Sequence, residues 1–408
     1  MAKDSHILVG LDVGTTKICA IVGEIGEGGQ IDIIGIGSHP SRGMKKGIVV
    51  NIESTIESIK KAVEEAERMA GVSVKEVYTG ISGGHVKGLN SRGVIAVKNH
   101  EVSRSDIARA VETARAVAIP MDRRTLHVIP QEFIVDAQDG IKDPLGISGV
   151  RLEADVHIIT GSATAMENIE KSIQRAGLTV VRMVLQPLAS SEAVLTPDER
   201  DLGVAMVDVG GGTTDIAVFV DGSIRHTAVI AVGGSHFTND IAIGLRTPPA
   251  DAEKLKLRYG CAQADRIKEG EMIEVPSVGG RPPRLLSRQA LAEIIQPRAE
   301  EIFMMVGQEI ERSGYGDRIA SGLVVTGGTS VLTGMTDVAE RTLGVPVRRG
   351  VPSGLGGLMD VVSGPMYATG VGILLHAART QETSDDAKGT WPGRMKGRLA
   401  EWTRSFFE

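Results

Sequence analysis

The chain predicts an α/β fold built from two like halves, and two observations carry that prediction. The first is an internal near-repeat. ILVGLDVGTTKICAIVGE, from Ile7 to Glu24, returns as VAMVDVGGGTTDIAVFVDG, from Val204 to Gly222. Each copy reads as an apolar run, a DVG turn with adjacent threonines, and a second apolar run. The second observation is length: 408 residues suffice for two domains, each with its own core.

Composition narrows the field. An apolar fraction of 42% fits a globular chain, and a formal charge of −6 argues against a nucleic-acid partner, which usually meets a basic face. Cys19 and Cys261 are too distant in sequence to form a CxxC site. Cys19 lies in an apolar strand pattern and reads as a buried thiol, so a reducing compartment is expected. No signal peptide opens the sequence, and no apolar run reaches the roughly 18–20 residues that span a bilayer. The histidines show no HxH, HxxxH or HExxH spacing, so no histidine metal centre is expected.

Each repeat is expected to form strand, tight turn, strand, because Val/Ile-rich runs bounded by glycine suit strands buried on both faces. The turns carry the chemistry. Gly14 in the first copy, and Gly210, Gly211 and Gly212 in the second, let backbone N–H groups approach an anion closely. Thr15, Thr16, Thr213 and Thr214 add hydroxyl donors, and Lys17 adds a charge found only in the first copy. Asp12 and Asp208 end their strands, where a carboxylate can hold a hydrated divalent cation. One such turn is equally an ordinary hairpin. Two matched copies, one per half, would clamp one polyphosphate from both sides.

A base and sugar need a third element. GLVVTGGTSVLTGM, from Gly322 to Met335, supplies a buried strand, a GG turn and a helix start. Gly327 and Gly328, followed by Thr329, would let backbone lie flat against an adenine or ribose; taken alone the segment is also a plain strand-to-helix connection.

In this order, the two phosphate turns and the GGTS turn resemble the actin, sugar-kinase and heat-shock chaperone ATPase superfamily. Within it the chain resembles the FtsA family of bacterial cell-division proteins over nearly its whole length. The resemblance implies an actin-like two-domain ATPase fold with ATP and Mg2+ as cofactors. It places Asp12 and Asp208 in the magnesium shell and makes VLQPLASSEAVL the connecting helix whose first polar residue, Gln186, positions the attacking water. Gln186 and Asp208 are thus the catalytic candidates. An amide orients water but is a poor base, so at most slow hydrolysis is expected. ADAEKLKLRYG resembles the adenosine-contacting segment and nominates Glu253 and Lys256, which also read as ordinary polar residues on a helix.

An insertion points to the family. QIDIIGIG is followed after a short loop by a helix from about Glu53 to Met69, with Ile56, Ile59, Val63, Ala66 and Met69 on one face. That gap has no room for the small domain that ordinary actins carry there. Instead, His85 to Ser162 reads as a strand (RGVIAV), a helix after Ser103 and two more strands, resembling the relocated strand-helix-strand-strand subdomain 1C. The expected division is 1–84 for subdomain 1A, 85–162 for 1C, 163–203 for the rest of 1A and 204–227 for 2A. Residues 228–298 follow as a mostly helical 2B, 299–379 as the rest of 2A, 380–391 as a flexible linker and 392–408 as an amphipathic helix. In LLSRQALAEIIQPRAEEIF, Leu291, Ile294, Ile295 and Ile302 turn inward, Pro297 kinks the run, and Arg288 and Arg298 stay outside. The resemblance makes this face the receptor of the FtsZ C-terminal tail, with Arg288 and Arg298 as its partner-binding residues. A solvated helix face is the plain alternative.

The C-terminal end holds both tryptophans of the chain. Met395, Leu399, Trp402 and Phe406 recur at helical spacing, with Arg398 and other basic residues on the remaining faces. A terminal helix docked on the core would explain the stripe. The flanking basic charge and the acidic, aperiodic TQETSDDAKGT before it fit an interfacial membrane helix better. Partial burial of four such side chains is worth roughly 4–6 kcal/mol, and helix ordering takes much of it back. One tail binds anionic lipid weakly, whereas a filament of many binds firmly.

The expected function is an ATP-binding, self-assembling protein that anchors FtsZ polymers to the cytoplasmic face of the plasma membrane at the septum. The resemblance adds later divisome membrane proteins as partners, besides FtsZ, further copies of the chain and anionic lipids. The alternatives are a PilM-like pilus adaptor and an ATPase or sugar kinase of the same superfamily. Against a kinase, no sugar-binding carboxylate constellation stands out; against a chaperone cycle, no peptide-binding domain is expected after the second half.

Overall fold

The structure is a computed structural model that describes residues 6–26 and 29–388. The first half opens with β1 (His6–Val13), β2 (Lys17–Ile25) and β3 (Ile31–Pro40), a meander of antiparallel strands. A small hairpin, β4 (Met44–Lys45) and β5 (Ile48–Val49), leads to helix α1 (Ile52–Ala70) and strand β6 (Glu76–Ile81). Asn51 caps α1 by accepting from the Ser54 N–H, and Gly71 ends it in the left-handed region at φ 70°. Ile56, Ile59, Val63 and Ala66 are buried as expected, but Met69 is 49% exposed. It sits in the last turn, rotated off the stripe.

The insert follows as β7 (Lys87–Ala96), α2 (Arg104–Arg115), β8 (Arg123–Val135), β9 (Gln138–Ile141) and β10 (Arg151–Ser162). Its antiparallel sheet runs β7-β10-β8-β9, and β9 is a short hairpin return added to the expected pattern. Ser103 and Asp106 form a capping box at the start of α2. The chain then resumes the first sheet with α3 (Ala163–Arg175), whose Met166, Ile169 and Ile173 are buried, and β11 (Thr179–Leu185).

Helix α4 (Gln186–Val194) and the short α5 (Pro197–Leu202) cross to the second half. There β12 (Val204–Val209), β13 (Thr214–Val220) and β14 (Ser223–Ile230) form a second meander. Helices α6 (Gly234–Leu245) and α7 (Pro249–Tyr259) and the hairpin β15 (Met272–Val275) and β16 (Arg284–Ser287) precede α8 (Arg288–Ser313). Helix α8 continues through Pro297, which lies on the exposed side, where the carbonyl deprived of its donor meets water. Leu291, Ile295 and Ile302 are buried and Ile294 is partly so. Strand β17 (Leu323–Thr326), helix α9 (Met335–Leu343) and β18 (Val347–Arg349) complete this half.

The repeat seen in the sequence extends to whole sheets. The first runs β11-β6-β1-β2-β3 and the second β18-β17-β12-β13-β14, each with one antiparallel meander and two parallel additions. The chain then turns back. Strand β19 (Gly356–Gly357) adds to the edge of the first sheet beside β3, α10 (Met359–Val362) follows, and α11 (Ala368–Lys388) packs on α4, β1, β2 and β6. Residues 356–379 therefore belong with the first half, not with the second as expected. Their glycines let α11 approach closely: a β-carbon at Gly370 would fall 2.9 Å from Ile21 and one at Gly372 would overlap Ala189. Helix α11 also runs on through 380–388, where composition suggested a flexible linker. TQETSDDAK contains no Gly or Pro, and extending a helix that is already formed is cheap. The amphipathic segment with Met395, Arg398, Leu399, Trp402 and Phe406 lies outside the described residues.

The layers alternate helix, sheet, helix, sheet, helix. Helices α4 and α11 form the middle layer and share one core with both sheets: Leu8 and Ile21 from the first, Met206 and Phe219 from the second, and Ala189, Ala193 and Leu374 between them. Among the described residues no helix is long and apolar enough to cross a membrane.

Gly372 sets how closely the two middle helices approach, because a β-carbon there would overlap the Ala189 carbonyl. Gly372→Ala should destabilise the protein by about 1–3 kcal/mol, the usual cost of overpacking. Gly84→Ala, with open space around it, should melt within a degree or two of the parent; equal melting of the two variants would show that the layer can part.

Candidate nucleotide site

The two repeat turns are the same device. Gly14 N–H donates to Lys17 O at 3.1 Å, and Gly210 N–H to Thr213 O at 2.9 Å. In this register Thr15 and Thr16 correspond to Gly211 and Gly212, and Lys17 to Thr213. The tips of the two hairpins abut. A β-carbon at Gly212 would fall 2.6 Å from Thr15 Oγ1, and one at Gly211 would overlap Thr16. Glycine in the second copy therefore answers threonine in the first: two tips with side chains would not fit.

Around the tips lies a cleft of about 950 Å³. Its walls include Asp12, Gly14, Thr15, Thr16, Lys17, Gln186, Asp208, Gly210, Gly211, Gly212 and Thr213. Glu253, Lys256, Gly327, Gly328 and Thr329 line it as well. Thr214 does not: it is fully buried in β13 and gives its hydroxyl to Val232 O. The matching TT pairs of the sequence are out of step by two positions in the fold, and this is why Thr214 reads wrongly as a cleft residue.

Asp12 and Asp208 end equivalent strands, both nearly buried. Asp12 accepts from Gln186 Nε2 at 3.1 Å. Asp208 Oδ2 accepts from Ser190 Oγ at 2.7 Å and Thr369 Oγ1 at 3.2 Å, so the middle helices supply its partners. A third carboxylate, Asp215, escaped the sequence reading. It pairs with Asp208 across β12 and β13, while Asp12 pairs with Cys19 in the first copy. The signal was present as the D that follows GGGTT. Asp215 accepts from Ser82 Oγ, a bond from the end of the first half's β6 to the second half.

Burial pushes Asp12 up to about 7, with Lys17 opposing and Asp208 adding to the rise. Burial and then Asp208 raise Asp215 to about 8, and burial raises Asp208. The cleft thus holds a cluster of carboxylates short of positive charge. Lys17 is the nearest cation, and its ammonium is held by Met366 O at 2.8 Å and the Tyr367 ring at 3.9 Å. Among the described residues no three acidic, histidine or cysteine side chains are placed to enclose a metal ion. A cation seated here would need oxygen from a ligand or water, which suits Mg2+, an ion that keeps much of its water.

Gly327 lines the cleft and meets a further constraint. At φ 87° it packs on the Asp208 carboxylate, which lies where its β-carbon would be, while a β-carbon at Gly328 would meet only Met366, at 3.7 Å. Thr329 Oγ1 donates to Gly210 O at 3.0 Å and ties this turn to the second hairpin. Lys256 Nζ bonds Gly234 O at 3.1 Å, Thr238 Oγ1 at 2.9 Å and Glu253 at 2.7 Å.

The two arginines expected on an outer face are both engaged. Arg288 lines the cleft, bonding Tyr259 O at 2.9 Å and Glu271 at 2.7 Å. Arg298 forms a bidentate pair with Asp240, at 2.7 and 3.1 Å, and a further pair with Glu301. Each is about three-quarters covered, because the helices and loops beside α8 fold over its start.

Raised carboxylate pKa values make a prediction. Asp12 and Asp215 keep protons in the folded protein that the unfolded chain has already released, so stability should fall as pH rises from about 4 toward 8. Asp215→Asn should remove part of that slope: it should raise the melting temperature of the ligand-free protein at pH 8 and change it little at pH 4. A melting profile parallel to the parent's would show that Asp215 is not a strained carboxylate.

Comparison with known proteins bears on the fold and the family. The family model "Cell division protein FtsA" matches residues 205–372, and "SHS2 domain inserted in FTSA" matches residues 83–160, the insert. The cell division protein FtsA of Pseudomonas aeruginosa is 53% identical over 379 residues, covering 93% of this chain and 91% of that protein. Among solved structures, the PilM-PilN type IV pilus biogenesis complex superposes with a TM-score of 0.64 at 17% identity, covering 91% of this chain and 98% of that one. MreB5 of Spiroplasma citri bound to ADP gives 0.56 at 14%, covering 92% and 98%. The fold is the actin-like one with the relocated insert, and the chain belongs to the FtsA family of cell-division proteins.

Proposed function

We propose that the protein binds ATP with Mg2+ in the cleft and, in that state, assembles with further copies of itself to anchor FtsZ polymers at the cytoplasmic face of the membrane. The observation that carries the nucleotide reading is the pair of abutting hairpin tips, with Asp12, Asp208 and Asp215 at their roots. The N–H groups of Thr15 and Thr16 and those of Gly211 to Thr213 face a polyphosphate from its two sides. Asp12 and Asp208 hold the waters of a magnesium ion, whose charge relieves the crowded carboxylates. Gln186, fixed by Asp12, orients a water; lacking a base, it supports at most slow hydrolysis. Gly328, Thr329, Glu253 and Lys256 receive the nucleoside.

The FtsZ tail is placed on the 2B face around Arg298. The pairing of Arg298 with Asp240 and Glu301 means that an acidic tail competes with carboxylates already there. Arg288, lining the cleft, is reassigned to it. Recruitment of later division proteins falls to the insert, and membrane attachment to Met395, Arg398, Leu399, Trp402 and Phe406. Family membership supports the cell-division setting.

Asp208→Ala should weaken Mg-ATP binding at least tenfold, by titration with a fluorescent analogue, and leave the ligand-free melting temperature equal to or above the parent's, since a crowded charge is removed. Unchanged affinity would sink the cleft reading. Trp402→Glu should abolish flotation with anionic liposomes while ATP affinity stays constant; a variant that floats like the parent would show that the stripe is not the anchor.

A further inference from the structure

The insert touches the parts of the molecule that define the reacting end of the cleft. Its first contact is with the start of the connecting helix. Strand β11 is an edge strand, and the Leu185 N–H at its end finds its acceptor on the insert: His127 Nε2, at 3.0 Å in a buried setting. Leu185 is the N-cap of α4, and Gln186 is the next residue. Accepting at Nε2 requires a neutral ring, and burial holds His127 neutral down to a pKa of about 3, with His376 and Arg182 acting in the same direction. Around this bond, Val86 and Ile159 of the insert pack with Leu185 and Leu188 of the connecting segment and Val229 of β14.

The second contact fixes the insert to the other half. His157 bonds Thr227 Oγ1 at 2.9 Å and Asn90 Oδ1 at 2.6 Å, and Asn90 Nδ2 donates to Arg225 O at 3.1 Å. Gln131 Nε2 donates to Ile224 O at 2.7 Å. These bonds run along β14, so the insert cannot shift on the first half without disturbing the second.

We propose that His127 is a positioning residue for Gln186, and that the insert thereby sets the reacting end of the cleft from outside it. The backbone anchor at Leu185 fixes where the Gln186 amide starts, and Asp12 fixes where it ends. A displacement of the insert reaches the water-orienting amide through one residue.

This inference rests on the reading of the cleft as an ATP site. The test uses the full chain with His127→Leu, which removes the acceptor, and His127→Gln, whose amide oxygen can stand where Nε2 is. Should His127→Leu not fold, His127→Asn, too short to reach Leu185, takes its place. Three quantities are read: fluorescent ATP affinity, single-turnover ATP hydrolysis, and hydrogen-exchange protection of the Leu185 amide. With His127→Leu, affinity should stay within twofold, turnover should fall about tenfold or more from misplacement of the amide, and Leu185 should lose protection. His127→Gln should restore turnover and protection together. Parent-like turnover despite lost protection overturns the proposal, as does a parallel loss of affinity and turnover in both variants. A parent that binds no ATP overturns the underlying reading and this proposal with it; one that binds but never hydrolyses overturns the role of Gln186, and with it this proposal, and leaves the ATP-binding reading standing.

Discussion

Three carboxylates, Asp12, Asp208 and Asp215, are buried within one small region where two hairpins meet, and much of the fold serves to hold them there. Left alone in such a place they would take up protons or draw in water. Their neighbours are arranged to answer each one: Gln186 for Asp12, Ser190 and Thr369 for Asp208, Ser82 for Asp215. Those partners come from the connecting helix α4, the returning helix α11 and the end of β6. The polar centre thereby fixes the order of the layers around it.

The middle layer has the complementary task. Helices α4 and α11 lie between two sheets of the same topology, and their small residues let both sheets close on them. The helices that carry Ser190 and Thr369 to Asp208 are the same ones that fill the shared core. Packing and site chemistry are therefore not separable here: a change that spreads the layer also withdraws hydroxyl donors from a buried charge. The insert adds a further link, since its seam with β14 and its bond to Leu185 bind both halves to the same end of the cleft.

The duplicated DVG turns were legible because glycine, threonine and aspartate at fixed spacing have few other uses, and the apolar runs beside them have the length and Val/Ile content of buried strands. Helix α1 followed from periodicity, and the insert's helix α2 was expected after Ser103. Other features could not be read that way. Thr214 resembles Thr16 in the sequence, but the hairpin register puts it inside the sheet. Gly327 lines the cleft, but nothing in its segment tells that the Asp208 carboxylate will occupy the place of its β-carbon. Arg288 and Arg298 sat on the polar side of a helix, where periodicity reports only which way a side chain points. It does not report that Glu271 and Asp240, distant in sequence, will cover them.

By itself, then, the sequence determined the local elements, the duplication and the family, because those depend on short-range pattern and on residue types that suit one conformation. Tertiary structure decided which half α11 joins, which of the conspicuous residues face the cleft, and that Asp215 and His127 matter at all. These are properties of pairs brought together across long stretches of chain, such as Ser82 with Asp215 or His127 with Leu185. No single segment encodes such a pair; it exists only once both partners have been folded against each other.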